Sequence, residues 1–239
     1  MSSFAQVVAE HFPGTMTEAE FVSRSHAALN RMGFTDDNTI ACVAVCRDEI
    51  TRSLMDQVHE AWGEAFNFAS LGGMIFLGKT GFSAAHHHAP VERGRERYVY
   101  FAMAHIGIGP DGEIGWCERL GRPGESTACG ALNGVLAELQ SGHIHTEIDP
   151  DDREMSLLKT RILRRLKWGE PPSLLRLTRL AYEIIRHDLH RMVDLTVDTG
   201  KADYGCLVGI QIHGRNRQQY VWPGEMFAVV DGERFEILL

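Results

Sequence analysis

The sequence predicts an α/β fold, a single domain over residues 1–239 with a helical region at about residues 1–36. Continuous apolar runs rich in β-branched or aromatic residues, such as Thr39–Val45 and Tyr98–Ala104, have the pattern of strands buried on both faces. Segments of helical periodicity alternate with them, as in a sheet with flanking helices. No internal repeat or low-complexity linker divides the chain, and its 239 residues suffice for one substantial core.

In chain order, Thr17-Glu-Ala-Glu20 has the form of a capping box and opens a helix to about Met32, with Gly33 as its stop. Thr39–Val45 is a strand that Cys46 ends, and residues 49–61 have helical periodicity. Cys46 and Asp48 therefore fall at a strand-to-helix junction, the end of an α/β sheet where sites form. Gly72–Leu77 reads as a second short strand, followed by a glycine- and histidine-rich loop over residues 78–90. Tyr98–Ala104 is the third strand, terminated by His105. Residues 107–126, rich in glycine, read as a loop with turns. Ser126 or Thr127 can cap a helix over 128–140, which puts Cys129 in its first turn. Helices follow at about 151–168 and 173–191, split by Gly169-Glu-Pro-Pro172. The tail reads as strands at 193–197, 206–214, 218–222 and 227–238, the last broken by a hairpin turn at Asp231-Gly232.

Apolar content of 44% and charged content of 23% are those of an ordinary soluble protein. No run approaches the roughly 18 apolar residues of a membrane span. The start of the chain shows no basic leader before an apolar block, so a cytoplasmic protein is expected. A net charge of −8 argues against nucleic acid or an anionic membrane as partner. The basic run Arg161–Lys167 reads as a solvated helix face. Five cysteines without a framework spacing point to free thiols, with Cys42 and Cys206 as core residues.

Gly73–Thr80 fits the phosphate-loop pattern G-x-x-x-x-G-K-T. Its four middle residues are large and apolar, and the following residues do not read as a helix start, so a nucleotide site is not expected. His86, His87 and His88 cannot all face one ion; they read as loop histidines suited to carrying protons. His143 and His145 follow a helix end at Gly142, where positive charge is favoured.

Cys46-Arg-Asp-Glu-Ile-Thr-Arg52 supports two readings. One is a metal-binding thiolate beside an Asp48–Arg52 pair at helical spacing; the other is a buried cysteine before an ordinary exposed helix. His105 ends a strand and Cys129 opens a helix whose N-terminus favours a thiolate. Two cysteines and a histidine suit a zinc site with an open fourth position. Their scattered spacing leaves the metal undecided on chemistry alone.

Taken together, the blocks CRDEITR (46–52), GGMIFLGKTGF (72–82) with HHHAP (86–90), HIGIGPDGEIG (105–115) and RPGESTACGAL (122–132) resemble the limiting-carbon-dioxide-inducible B/C family. That family is close in site design to the β-class carbonic anhydrases and related to the theta class. The resemblance covers roughly residues 37–230 and accounts for the phosphate-loop match without a nucleotide. It implies a β-carbonic-anhydrase-like core sheet, a homodimer, and zinc held by Cys46, His105 and Cys129. It also implies an Asp48–Arg52 dyad and reversible hydration of carbon dioxide to bicarbonate by zinc-activated water. On this reading Phe82 is the expected apolar wall for carbon dioxide, and His86, His87 or His88 the proton relay. Two alternatives stay open: another enzyme (a zinc hydrolase, or a thiol enzyme using Cys129), and a catalytically silent zinc protein.

Overall fold

The computed structural model describes residues 3–167, 169 and 172–239, with the backbone alone for 122–125. The helices are α1 (Phe4–His11), α2 (Glu18–Asn30), α3 (Arg52–Trp62), α4 (Gly78–His86), α5 (Gly130–Ser141), α6 (Arg153–Leu163) and α7 (Leu174–Thr196). The strands are β1 (Met16–Thr17), β2 (Ile40–Ala44), β3 (Ala65–Asn67), β4 (Val91–Glu92), β5 (Arg95–Gly107), β6 (Trp116–Arg119), β7 (Arg122–Thr127), β8 (Ala202–His213), β9 (Gln219–Val230) and β10 (Glu233–Glu236). Among the described residues no helix is long and apolar enough to cross a membrane.

The main sheet runs β1-β9-β8-β5-β2-β3, with β10 on β9 and β4 on β5. Its centre is parallel, since β3, β2, β5 and β8 run the same way, whereas β9 is antiparallel to β8. Period-2 alternation sends Ile40, Cys42, Tyr98 and Tyr100 to one face, under α4, α5, α6 and α7. It sends Ala41, Val43, Val99 and Phe101 to the other, under α2 and α3. Leu54, Val58 and Trp62 form the fully buried stripe of α3. Each such side chain contributes about 1.5–3 kcal/mol relative to exposure.

From β2 the chain crosses to β3 on one side, and from β5 it crosses to β8 on the other. The connections thus diverge between β2 and β5, and in open α/β sheets that point leaves a crevice beyond the strand ends. Cys46 follows β2 and His105 lies near the end of β5, so both face this crevice.

The local signals that held are those written in caps and periodicity. Thr17 Oγ1 accepts from Glu20 N at 3.2 Å and opens α2, while the Glu20 carboxylate turns away to Arg24. Gly142, at φ 72°, ends α5, and Asp231-Gly232 turns β9 into β10.

Other expectations are corrected. Gly72–Leu77 is not a strand: Gly72 and Gly73 take φ of 66° and 74° in a 3-10 turn. A Cβ at Gly73 would lie 2.3 Å from the Met103 carbonyl, so glycine there lets the turn press onto β5. The expected histidine loop contains helix α4, whose Phe82, Ala85 and His86 are buried at spacings of three and four. Residues 193–197 are helical to Thr196, because Leu189, Met192 and Val193 continue the buried stripe of α7 and override β-branched propensity. The 107–126 segment holds the β6–β7 hairpin, and 218–222 with 227–230 are one strand, β9, irregular near Pro223. Cys129 caps α5 from outside rather than sitting in its first turn. Glu170 and Pro171 of the expected linker, Trp168 at the expected helix end, and the side chains of 122–125 lie outside the described residues.

Candidate metal centre

Cys46 is anchored where β2 ends. It bridges to Ser70, and Thr51 Oγ1 donates to the Cys46 carbonyl at 2.7 Å and the Asp48 carbonyl at 2.9 Å. Cys129 is brought to the end of β5 by its neighbour: Ala128 accepts from Gly107 N at 3.1 Å and donates to the Gly115 carbonyl at 2.9 Å. The Ala128–Cys129 peptide is cis.

These anchors gather Cys46, His105 and Cys129, whose ligand atoms lie within 4.8 Å of one another. All three are buried, at 6%, 1% and 0% exposure. A tetrahedral zinc ion would require separations of about 3.8 Å between sulfurs and about 3.5 Å from sulfur to nitrogen, within that bound. Among the described residues, buried His105 Nε2 has no hydrogen-bond partner, although such nitrogens are normally satisfied. A donor set of two thiols and an unpartnered imidazole nitrogen fits zinc. The other ring nitrogen, His105 Nδ1, lies 3.0 Å from His213 Nε2, and His213 Nδ1 contacts Gln219 Oε1.

The two thiols share a hydrogen bond. That bond, together with His105 and against burial, brings Cys46 down to about 4. The same bond and burial push Cys129 well above its ordinary value, against the pull of the Leu132 and Ala131 amides at the head of α5.

A cleft of about 700 Å³ adjoins the trio, lined by Cys46, Arg47, Asp48, Leu71, Arg119 and Ala131 among others. Burial alone would raise the Asp48 carboxyl, but hydrogen bonds from Arg119 outweigh it and hold it at about 2. Arg119 donates to Asp48 Oδ1 at 2.6 Å and Oδ2 at 2.8 Å, to Glu49 at 2.5 Å and to Ser126 Oγ at 2.7 Å.

The expected Asp48–Arg52 pair does not form. Asp48 is the extended cap of a 3-10 turn, with ψ of 131°, so residues 48 and 52 do not stand one above the other on a helix face. Arg52 instead points to solvent, 78% exposed, and reaches Asp56 at 3.4 Å.

Phe82 and the three histidines are also elsewhere. Phe82 is a core residue packed on Phe68 and Tyr100, at ring distances of 4.7 and 5.8 Å, and does not line the cleft. His86 stacks on Tyr98 at 4.2 Å, and its Nε2 lies 2.6 Å from Tyr100 Oη. Tyr100 precedes His105 by five residues on β5. At a strand's ordinary rise that is about 17 Å, too far for a direct proton relay. His88 packs on Phe66, and His87 lines a different pocket with His86.

Arg119 and His213 were not singled out from sequence. Arg119 was hidden in the segment read as loop, where Trp116–Arg119 before Gly121 could have signalled a hairpin arm. His213 alternates with Gln211 at the end of the apolar run Cys206–Ile212 of β8. Polar residues at such positions need buried partners, and that was the available cue.

Over residues 15–231 the chain matches the family model described as limiting CO2-inducible proteins B/C β-carbonic anhydrases. A crystal structure of limiting CO2-inducible protein LCIB superposes with a TM-score of 0.80 and 34% identity, covering 96% of both chains. That of PtLCIB4, a homolog of LCIB, superposes with a TM-score of 0.82 over 98% of this chain and 100% of that one. Its 24% identity speaks to the fold alone. The core sheet with flanking helices is therefore the carbonic-anhydrase-like fold of these structures. No curated protein sequence matches the chain.

Proposed function

Because the chain belongs to the limiting CO2-inducible B/C family of β-carbonic anhydrases, we propose that it binds zinc through Cys46, His105 and Cys129 and interconverts carbon dioxide and bicarbonate. The observation that carries this reading is the convergence of three ligand atoms, from three separate elements, to within 4.8 Å beside a cleft with an ionised carboxylate. Catalytic zinc sites use three protein ligands, whereas structural sites use four.

Zinc bound there would act as a Lewis acid, bringing the pKa of water towards neutrality. The chain's own residues do the rest. As ligands, Cys46 and Cys129 would supply two thiolate charges, Cys129 losing its proton on binding, and His105 a neutral nitrogen. Asp48, ionised down to about pH 2, can only accept hydrogen bonds. Arg119 takes one direction on each of its oxygens, and the remaining lone pairs can orient a water in the cleft. Arg119 also restrains the carboxylate, so that it does not swing onto the ligand trio. Leu71 and Ala131 give the cleft apolar wall suited to unhydrated carbon dioxide.

The test is stopped-flow carbon dioxide hydration on zinc-quantified protein, with Cys46→Ser as control. Turnover lost in the control supports the reading. Full zinc without turnover selects a catalytically silent zinc protein, the second reading, which the near-complete burial of all three ligands favours. Protein that binds no zinc and is inactivated by alkylation points to a thiol enzyme using Cys129.

A further inference from the structure

We propose that Gln219 and His213 are positioning residues that lock His105 in the tautomer with a proton on Nδ1 and a free lone pair on Nε2. A neutral imidazole carries one N–H and one lone pair, so the partner of one nitrogen dictates the other. Gln219 places its carbonyl oxygen Oε1 on His213 Nδ1, and that nitrogen must donate. His213 Nε2 is then a lone pair. It lies 3.0 Å from His105 Nδ1, which must donate in turn. His105 Nε2 is left bare, and it is the buried nitrogen without a partner. His213 is 2% exposed, and among the described residues both its ring nitrogens bond neutral groups, His105 and Gln219, as a neutral link requires.

The fold holds this chain in place through two ladders. His213 and Gln219 are cross-strand neighbours at the base of the β8–β9 hairpin, closed by Gly214 N donating to the Gln218 carbonyl at 2.9 Å. On the other side, β8 pairs with β5 in the register that sets Gln211 opposite His105 and His213 opposite Gly107. His213 thus sits diagonally from His105 on the same face of the sheet. Were the Gln219 amide reversed, each proton would move across its ring, and His105 Nε2 would carry a hydrogen unable to face a metal. The direction of one amide at a hairpin base therefore decides whether the ligand is competent. Metal-bound histidines are commonly held this way by a carboxylate or carbonyl; here a neutral histidine and an amide do it.

The role as ligand positioner rests on the zinc reading above, but the tautomer does not, and the experiment separates them. Long-range 15N–1H spectra of metal-free, 15N-histidine-labelled protein report which nitrogen of His105 is protonated. A chromogenic chelator competed against the protein reports zinc affinity. Wild type should show His105 protonated on Nδ1. Gln219→Leu should show mixed His105 tautomers and bind zinc about 10- to 100-fold more weakly, as should His213→Phe. Gln219 is only half-buried, so its variant keeps the proposal testable if His213→Phe does not fold. His105 protonated on Nε2 in wild type, or a Gln219→Leu protein with wild-type tautomer and affinity, would overturn it. If wild type takes no zinc the zinc reading fails, and the spectra of wild type and Gln219→Leu still decide this proposal.

Discussion

Arg119 on β6 grips both carboxylate oxygens of Asp48, 71 residues earlier in the chain, at 2.6 and 2.8 Å. This pair stands where the sequence suggests Asp48 with Arg52, and it changes which arginine matters. Arg119→Ala should lower kcat/KM by about 10- to 100-fold while zinc content stays stoichiometric. Arg52→Ala should stay within about twofold of wild type, since an exposed ion pair contributes little. Comparable losses in the two variants would reject the assignment.

Cys46→Ser, His105→Ala and Cys129→Ser should each abolish stoichiometric zinc, measured by elemental analysis of dialysed protein. Retention of one zinc per chain in any of them would remove that residue from the ligand set.

Phe82 and the neighbouring histidines should separate stability from rate. Phe82→Ala should cost about 3–5 kcal/mol in denaturant unfolding, because a fully buried ring leaves a cavity. His87→Ala and His88→Ala should leave hydration rates unchanged across buffer concentrations, since neither residue lines the cleft beside Cys46. A buffer-dependent defect in either would restore a relay role.

Burial lowers His86 to about 4, against an ordinary value of 6.5. Between these values the unfolded chain holds a proton there that the folded chain lacks, so acidification favours unfolding. The contribution is complete above pH 6.5 and is lost as pH falls towards 4. His213, lowered to about 3 chiefly by burial, acts in the same direction. His86→Gln, which keeps a partner for Tyr100, should lose about 1–2 kcal/mol less than wild type between pH 7 and 5, after allowing for solvent screening. Parallel melting curves for the two proteins would show that His86 is not the group responsible.

Local signals carried much of this in the sequence. The apolar run ending at Cys46 marks the strand junction, Thr17 and Gly142 mark helix ends, and Asp231-Gly232 marks a hairpin, because caps, turns and periodicity act within a few residues. The grouping of Cys46, His105 and Cys129 was legible only through ordered blocks resembling a known family; their chemistry left the metal open. Tertiary structure decided what depends on distant contacts. A 3-10 turn turns Asp48 away from Arg52, and the β6–β7 hairpin brings Arg119 to it. Strand packing puts the His86–His88 run far along β5 from His105, and the β5–β8–β9 register sets His213 and Gln219 behind His105. Side-chain pairing of this kind is fixed by which strands adjoin and in what register, and no window of neighbouring residues contains that information.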